Sequence, residues 1–325
     1  MFGLLSKKLR AKVGLVGGFG KVPALGDFVR TSSPSDEMIA FETWITRALE
    51  SAEARLGPEL KQSWKSATPH AFLWSGAIDK KVRGIFAGVV MTSTDSVGRR
   101  FPLVIGSPLP PTALVQQPHI APLLLRDFFQ EAAVAVARAH ATKSAADFQA
   151  QIATMEPPAF DDTEATLAAY DTWAKGQQAG DVWNTLFGAA DADRASRHAL
   201  GMIFDATTPF RGQETPPLTL GVRVPLGSLG ANVCALWIDL VRAAAGWKST
   251  VPSFFVPIGP ANPQALIQLG AEAPPSVLAD IFVPTPDSES VCELGSSERA
   301  APPASVRAEV TAAGSLADVV LEIGR

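Results

Sequence analysis

The chain has 325 residues, 47% of them apolar and 18% charged. That is enough apolar material for one large core or two ordinary ones, and it excludes global disorder. Lysine and arginine number 28 against 32 aspartates and glutamates, a balance with no general pull toward nucleic acid or an anionic membrane. Two cysteines, Cys234 and Cys292, make no disulfide framework in a chain of this length and fit a reducing compartment.

Charge is uneven along the chain. Lys7, Lys8, Arg10, Lys12 and Lys21 precede any acid, whereas the segment 285–325 is acidic. The run Val13–Phe19 carries three glycines and no cleavage pattern follows it, so a signal peptide is not expected. No apolar stretch reaches the roughly 18 residues of a membrane span. A soluble, cytoplasmic protein is the expectation.

Residues 13–19 read as a short buried strand ending in a glycine turn. A helix follows, with Ser33 as its cap, Pro34 and Asp36 in its first turn, and Met38, Phe41, Ile45, Ala48 and Ala52 on one face. Gly57–Pro58 ends it. Residues 71–78, 84–92 and 101–106 read as strands, the last two joined by a link (93–100) short enough for antiparallel pairing. Beyond the prolines at 107–111, helices are predicted over about 120–141, from Ser144, after Asp161–Asp162, and through Trp183 to Gly188. Strand-like runs occupy 199–205 and 218–224, a helix covers about 231–245 with Gly246 as its stop, and further strands are expected at 253–258 and 279–283. This order gives an α/β or α+β layered sandwich, with antiparallel pairing in part of its sheet. The composition after Pro286 predicts a solvated, flexible acidic tail over 285–325, whose last apolar residues, Leu316, Val319, Val320 and Ile323, fall in helical phase. That end reads as a helix docking on its own domain or on a partner.

Familiar catalytic patterns fail on spacing. In Val16–Lys21 the first glycine of a phosphate loop would fall on Leu15, and Val22 stands where a magnesium-binding hydroxyl is needed. Gly227–Gly230 is not a nucleophile elbow. His70, His119, His140 and His198 are isolated, so no zinc site, and no metal or cofactor, is expected. Two segments stand out instead. In Gly18–Arg30, glycines and Pro23 shape a loop bearing Lys21, Asp27 and Arg30. In Thr94–Leu103, Asp95 is placed to accept from turn amides, Gly98 permits a reversal, and Arg99 or Arg100 can pair with Asp95, or with Asp27 if the loops meet.

At these segments the sequence resembles the type VI secretion-associated TagF family, also called ImpM. The resemblance rests on Gly18–Phe28, with Phe19, Lys21 and Asp27, then Phe41, Trp44, Trp64 and Phe72–Trp74. It continues through Asp95, Val97, Gly98, Arg99, Phe101, Pro102 and Leu103. Leu25 departs from it, standing where the family often has arginine. Agreement is good over 14–108 and looser over 116–284, so residues 1–284 are expected to form one α/β domain. The resemblance implies a three-layer α/β/α sandwich with a mixed sheet. It also implies a non-enzymatic cytoplasmic repressor of secretion that binds a forkhead-associated scaffold protein. Phe19, Lys21, Asp27, Asp95, Arg99, Arg100 and Phe101 are the candidate loop-organising or interaction residues. A structural subunit of the secretion apparatus and an unrecognised hydrolase are the alternatives.

Overall fold

The computed structural model describes residues 14–64, 68–78, 82–214, 216–259, 263–283, 288–295 and 314–325. The basic cluster Lys7–Lys12 and Val13 of the first expected strand lie outside them. The strands are β1 (Gly17–Gly20), β2 (Val29–Arg30), β3 (His70–Ala77), β4 (Arg83–Met91), β5 (Leu103–Leu109), β6 (Gly221–Pro225), β7 (Phe254–Pro257), β8 (Gln264–Gln268) and β9 (Val291–Glu293). Among the described residues they form one sheet in the order β2-β1-β5-β4-β3-β7-β8-β6-β9. Every pairing is antiparallel except β6 with β9. The sheet is therefore mixed, as expected, and the link 93–100 does join antiparallel neighbours.

Side chains alternate across a strand, and here both faces are covered. Leu73, Ala87, Val89, Leu103 and Ile105 point into one core. Their neighbours Phe72, Phe86, Val90 and Val104 point into the other. Two buried faces explain why these strands read as continuous apolar runs. The second core is covered by α1 (Asp36–Leu56), α2 (Pro58–Ser63) and, late in the chain, a helix over Val277–Phe282. Phe41 of α1 stacks on Phe72 at 4.5 Å and on Trp44 at 5.6 Å. The first core is covered by α3 (Ala121–Leu124), α4 (Arg126–His140), α5 (Ala145–Ala153), α6 (Thr163–Gly176), α7 (Ala179–Phe187), α8 (Ala192–Thr207) and α9 (Ala231–Ala245). Three layers follow.

Several boundaries differ from the sequence reading. Ser35, not Ser33, caps α1, accepting from the Met38 amide at 3.1 Å. The expected strand at 199–205 is helix α8, whose buried Ala195, Ala199, Leu200 and Ile203 keep a helical period through the short apolar run. The expected strand at 279–283 belongs to α10 (Val277–Phe282), which packs on α1 and buries Asp280 against Arg55 at 3.0 Å. The flexible tail expected over 285–325 is corrected at 288–295 and 314–325, whereas the docking of its terminal helix on its own domain agrees with the sequence reading. Val291–Glu293 pairs in parallel with β6. α11 (Leu316–Ile323) packs on α6 and α9 through buried Leu316, Val319 and Ile323. Ser315 and Asp318 close a reciprocal cap at its start. Apolar residues in helical phase outweighed the polar composition around them.

Candidate functional site

The two loops singled out by sequence lie side by side at one end of the sheet. β1 runs beside β5 with Phe19 opposite Val104. This register delivers Gly20 and Lys21 to the mouth of the β4–β5 hairpin. Gly20 has φ +136°, and a Cβ there would fall 2.1 Å from the Pro102 carbonyl oxygen, so both its backbone and its lack of a side chain are needed for this approach. Gly98, at φ +84°, makes the reversal at the hairpin tip.

Asp95 is the hub. Its side chain is buried. Oδ1 accepts from the backbone N–H groups of Val97 at 3.1 Å and Arg99 at 2.8 Å. Oδ2 accepts from Arg99 Nε at 2.6 Å and pairs with Lys21 Nζ from the other loop. Burial pushes the Asp95 carboxyl up, but the hydrogen bonds from Lys21 and Arg99 outweigh it and hold the group well below the usual carboxylate range. Arg99 continues across the gap, donating from Nη2 to the Gly26 carbonyl at 2.5 Å. Ser93 Oγ donates to the Lys21 carbonyl at 2.6 Å, and the Ser96 amide donates to the Leu25 carbonyl at 2.9 Å. Trp64 ties α2 to the same point through Nε1 on the Ser93 carbonyl at 2.7 Å.

An aromatic cluster underlies this polar seam. Phe19 is fully buried and meets Phe101 edge-on at 6.3 Å. Phe28 closes the triangle, 5.2 Å from Phe101 and 6.3 Å from Phe19. Arg30 lies over the outer ring of Phe28 and pairs with Glu42 of α1.

The structure thus brings together Phe19, Lys21, Asp95, Arg99 and Phe101. It does not bring in Asp27 as expected. That side chain is exposed and, among the described residues, has no hydrogen-bond or ion-pair partner. Arg99 takes the neighbouring Gly26 carbonyl in its place. Arg100 pairs with neither aspartate and instead reaches Glu53 of α1 at 2.7 Å. Leu25 packs against the larger core. Ser93 and Trp64 were not foreseen as members, because a hydroxyl at a strand end and an indole on a distant helix carry no local signal of meeting.

Three large side chains face outward from this seam: Val97 at 71% exposure, Phe28 at 38% and Arg99 at 62% for its side chain. A rigid, mixed apolar and cationic surface is what the arrangement offers chemically. Among the described residues no group of three or more His, Cys, Asp or Glu could hold a metal ion, and no helix is long and apolar enough to cross a membrane.

No curated protein matches the chain. The crystal structure of PA0076 from Pseudomonas aeruginosa PAO1 is similar over 44% of this chain and 64% of that one, with 22% identity and a TM-score of 0.37. The chain therefore spans a little under two thirds of the length of that protein. Residues 17–155, which contain both loops and the whole β1–β5 part of the sheet, match the family model of the TagF N-terminal domain, type VI secretion system-associated. Over this segment the chain is similar to the N-terminal domain of the type VI secretion-associated TagF family.

Proposed function

We propose that the protein is a non-enzymatic, cytoplasmic regulator that represses type VI secretion after translation by binding a forkhead-associated scaffold protein. The observation that carries this reading is the seam itself. Two loops whose key residues lie 74 positions apart are locked by Lys21, Asp95 and Arg99, while Val97, Phe28 and the Arg99 guanidinium remain turned to solvent. A surface held in one shape before its partner arrives loses less conformational freedom on binding. The match of residues 17–155 to a secretion-associated family model supports this setting. The buried carboxylate at the centre is spent on loop contacts, which suits a scaffold for recognition better than a general acid or base.

The test is binding of the purified chain to the purified scaffold protein, together with secretion in a deletion strain. Saturable binding that is lost in Val97→Asp without a change in melting temperature, and secretion that rises on deletion, support the proposal. Absence of binding overturns it. A fall in secretion on deletion, with the chain recovered in stoichiometric complexes, identifies an assembly subunit instead.

A further inference from the structure

Beside the seam runs a groove of about 900 Å³ lined by residues from both helical layers and from the hairpin, among them Lys61, Thr92, Arg99, Arg100 and His140. This lies near the top of the range for small-molecule sites, roughly 300–1,000 Å³, and is more room than a single anionic group needs. Its ionisable lining is one-sided. Lys61, Arg99 and Arg100 carry positive charge, and among the described residues Glu53, held by Arg100, is the one carboxylate in the lining. Behind the wall, Asp95 is shared between Lys21 and Arg99, so four cations face two carboxylates. Lys61 has no ion-pair partner among the described residues. Burial lowers the pKa of His140, leaving a neutral imidazole at neutral pH. A second, independent feature points the same way. Thr92 is only 3% exposed and lines the groove, yet among the described residues its Oγ1 has no hydrogen-bond partner. A buried hydroxyl left in this state favours an acceptor from outside.

We infer that this groove binds an acidic segment of a partner protein, its carboxylates meeting Lys61, Arg99 and Arg100 and a main-chain or side-chain oxygen meeting Thr92. The cations stand on different elements with different anchors, Arg100 tied toward α1 and Arg99 toward the Gly26 loop. Their charge is spread along the groove, which matches a row of carboxylates better than one compact anion. This inference rests on the docking reading above and gives that face its charge preference.

The experiment uses the full chain and a fluorescein-labelled peptide of alternating glutamate and glycine, followed by anisotropy, with the glutamine–glycine peptide as the uncharged control. The glutamate peptide is expected to bind, to weaken as salt rises, and to lose about tenfold in affinity in each of Lys61→Glu and Arg100→Glu. Lys175→Glu, an exposed cation on α6, should leave binding unchanged. Lys61→Ala provides a milder variant, and melting curves confirm that each folds. Equal binding of the two peptides, or indifference to both reversals, overturns the inference. So does displacement by inorganic phosphate with no peptide binding, which would mark a single-anion site. If scaffold binding persists in Lys61→Glu and Arg100→Glu but fails in Val97→Asp, the acidic-segment inference falls and the docking reading stands. If the acidic peptide binds as described and the scaffold does not, the reverse holds.

Discussion

Asp95 and Asp239 are both buried and both ringed by donors, yet they belong to regions of opposite character. Asp95 draws most of its partners from the next four residues and only Lys21 from afar. Asp239, on α9, draws Tyr170 Oη at 3.1 Å from α6 and Arg242 at 2.6 Å from one turn on, with His119 Nδ1 at 3.8 Å. Burial and then the charge of Asp239 push the Tyr170 hydroxyl far above its ordinary range. Burial holds His119 below its ordinary value, against the pull of Asp239. The second cluster is enclosed by helices and joins α6, α9 and the turn that precedes α3. The first sits at a rim, with exposed apolar and cationic side chains around it. The same device, a carboxylate that gathers donors, therefore fixes helix packing in one region and shapes a surface in the other.

Substitutions can break this contrast in a definite order. Gly20→Ala should have the largest effect, because a side chain there needs strained backbone and collides with the Pro102 carbonyl. A loss of about 3 kcal/mol or more is expected, read as a large fall in denaturant midpoint. Asp239→Ala should come next. It strands the Tyr170 hydroxyl and Arg242, at a cost of about 2–3 kcal/mol, with a melting point several degrees lower and the 17–30 loop still intact to limited proteolysis. Asp95→Asn should lower the melting point less while opening 21–27 and 93–100 to protease.

A pH scan separates the titrating groups. His70 is buried at the start of β3, with Nδ1 2.9 Å from the Thr68 carbonyl, and burial lowers its pKa to about 4. Because its folded value lies below its unfolded value of about 6.5, the stability it contributes is complete above that pH and is lost as pH falls toward 4. His70→Gln should flatten this part of the profile. The Asp95 carboxyl is also depressed in the fold. Its contribution is present at neutral pH and is lost only below about 4, as pH falls through the folded value. The gap between wild type and Asp95→Asn should close there. Asp27→Ala should have the smallest effect, within about 0.5 kcal/mol of wild type, since among the described residues its exposed side chain holds nothing.

The contrast also explains which features are legible in the sequence alone. Asp95, Gly98 and Arg99 are close in sequence, so turn chemistry alone places the carboxylate against the amides that follow it. Lys21 and Phe19 were reachable because glycines mark their loop. Asp239, Tyr170 and His119 come from separate stretches, and nothing local announces their meeting. The same limit governs the fold. Helix α9 matches its expected span because apolar phase and a terminal glycine agree. The runs at 199–205 and 279–283 are short and apolar, and only their packing against neighbouring helices makes them helical. β2 and β9 have two and three residues and owe their existence to the strands beside them. Asp27 misled because a charged residue in a glycine turn looks the same whether it binds a neighbour or faces water.

Amide hydrogen exchange on the intact chain, with and without the forkhead-associated scaffold protein, tests the account most directly. Protection that rises at 21–30 and 93–101 and stays level around α6, α9 and α11 is the predicted result. Protection confined to the helical layer, or none anywhere at saturating scaffold, would contradict it.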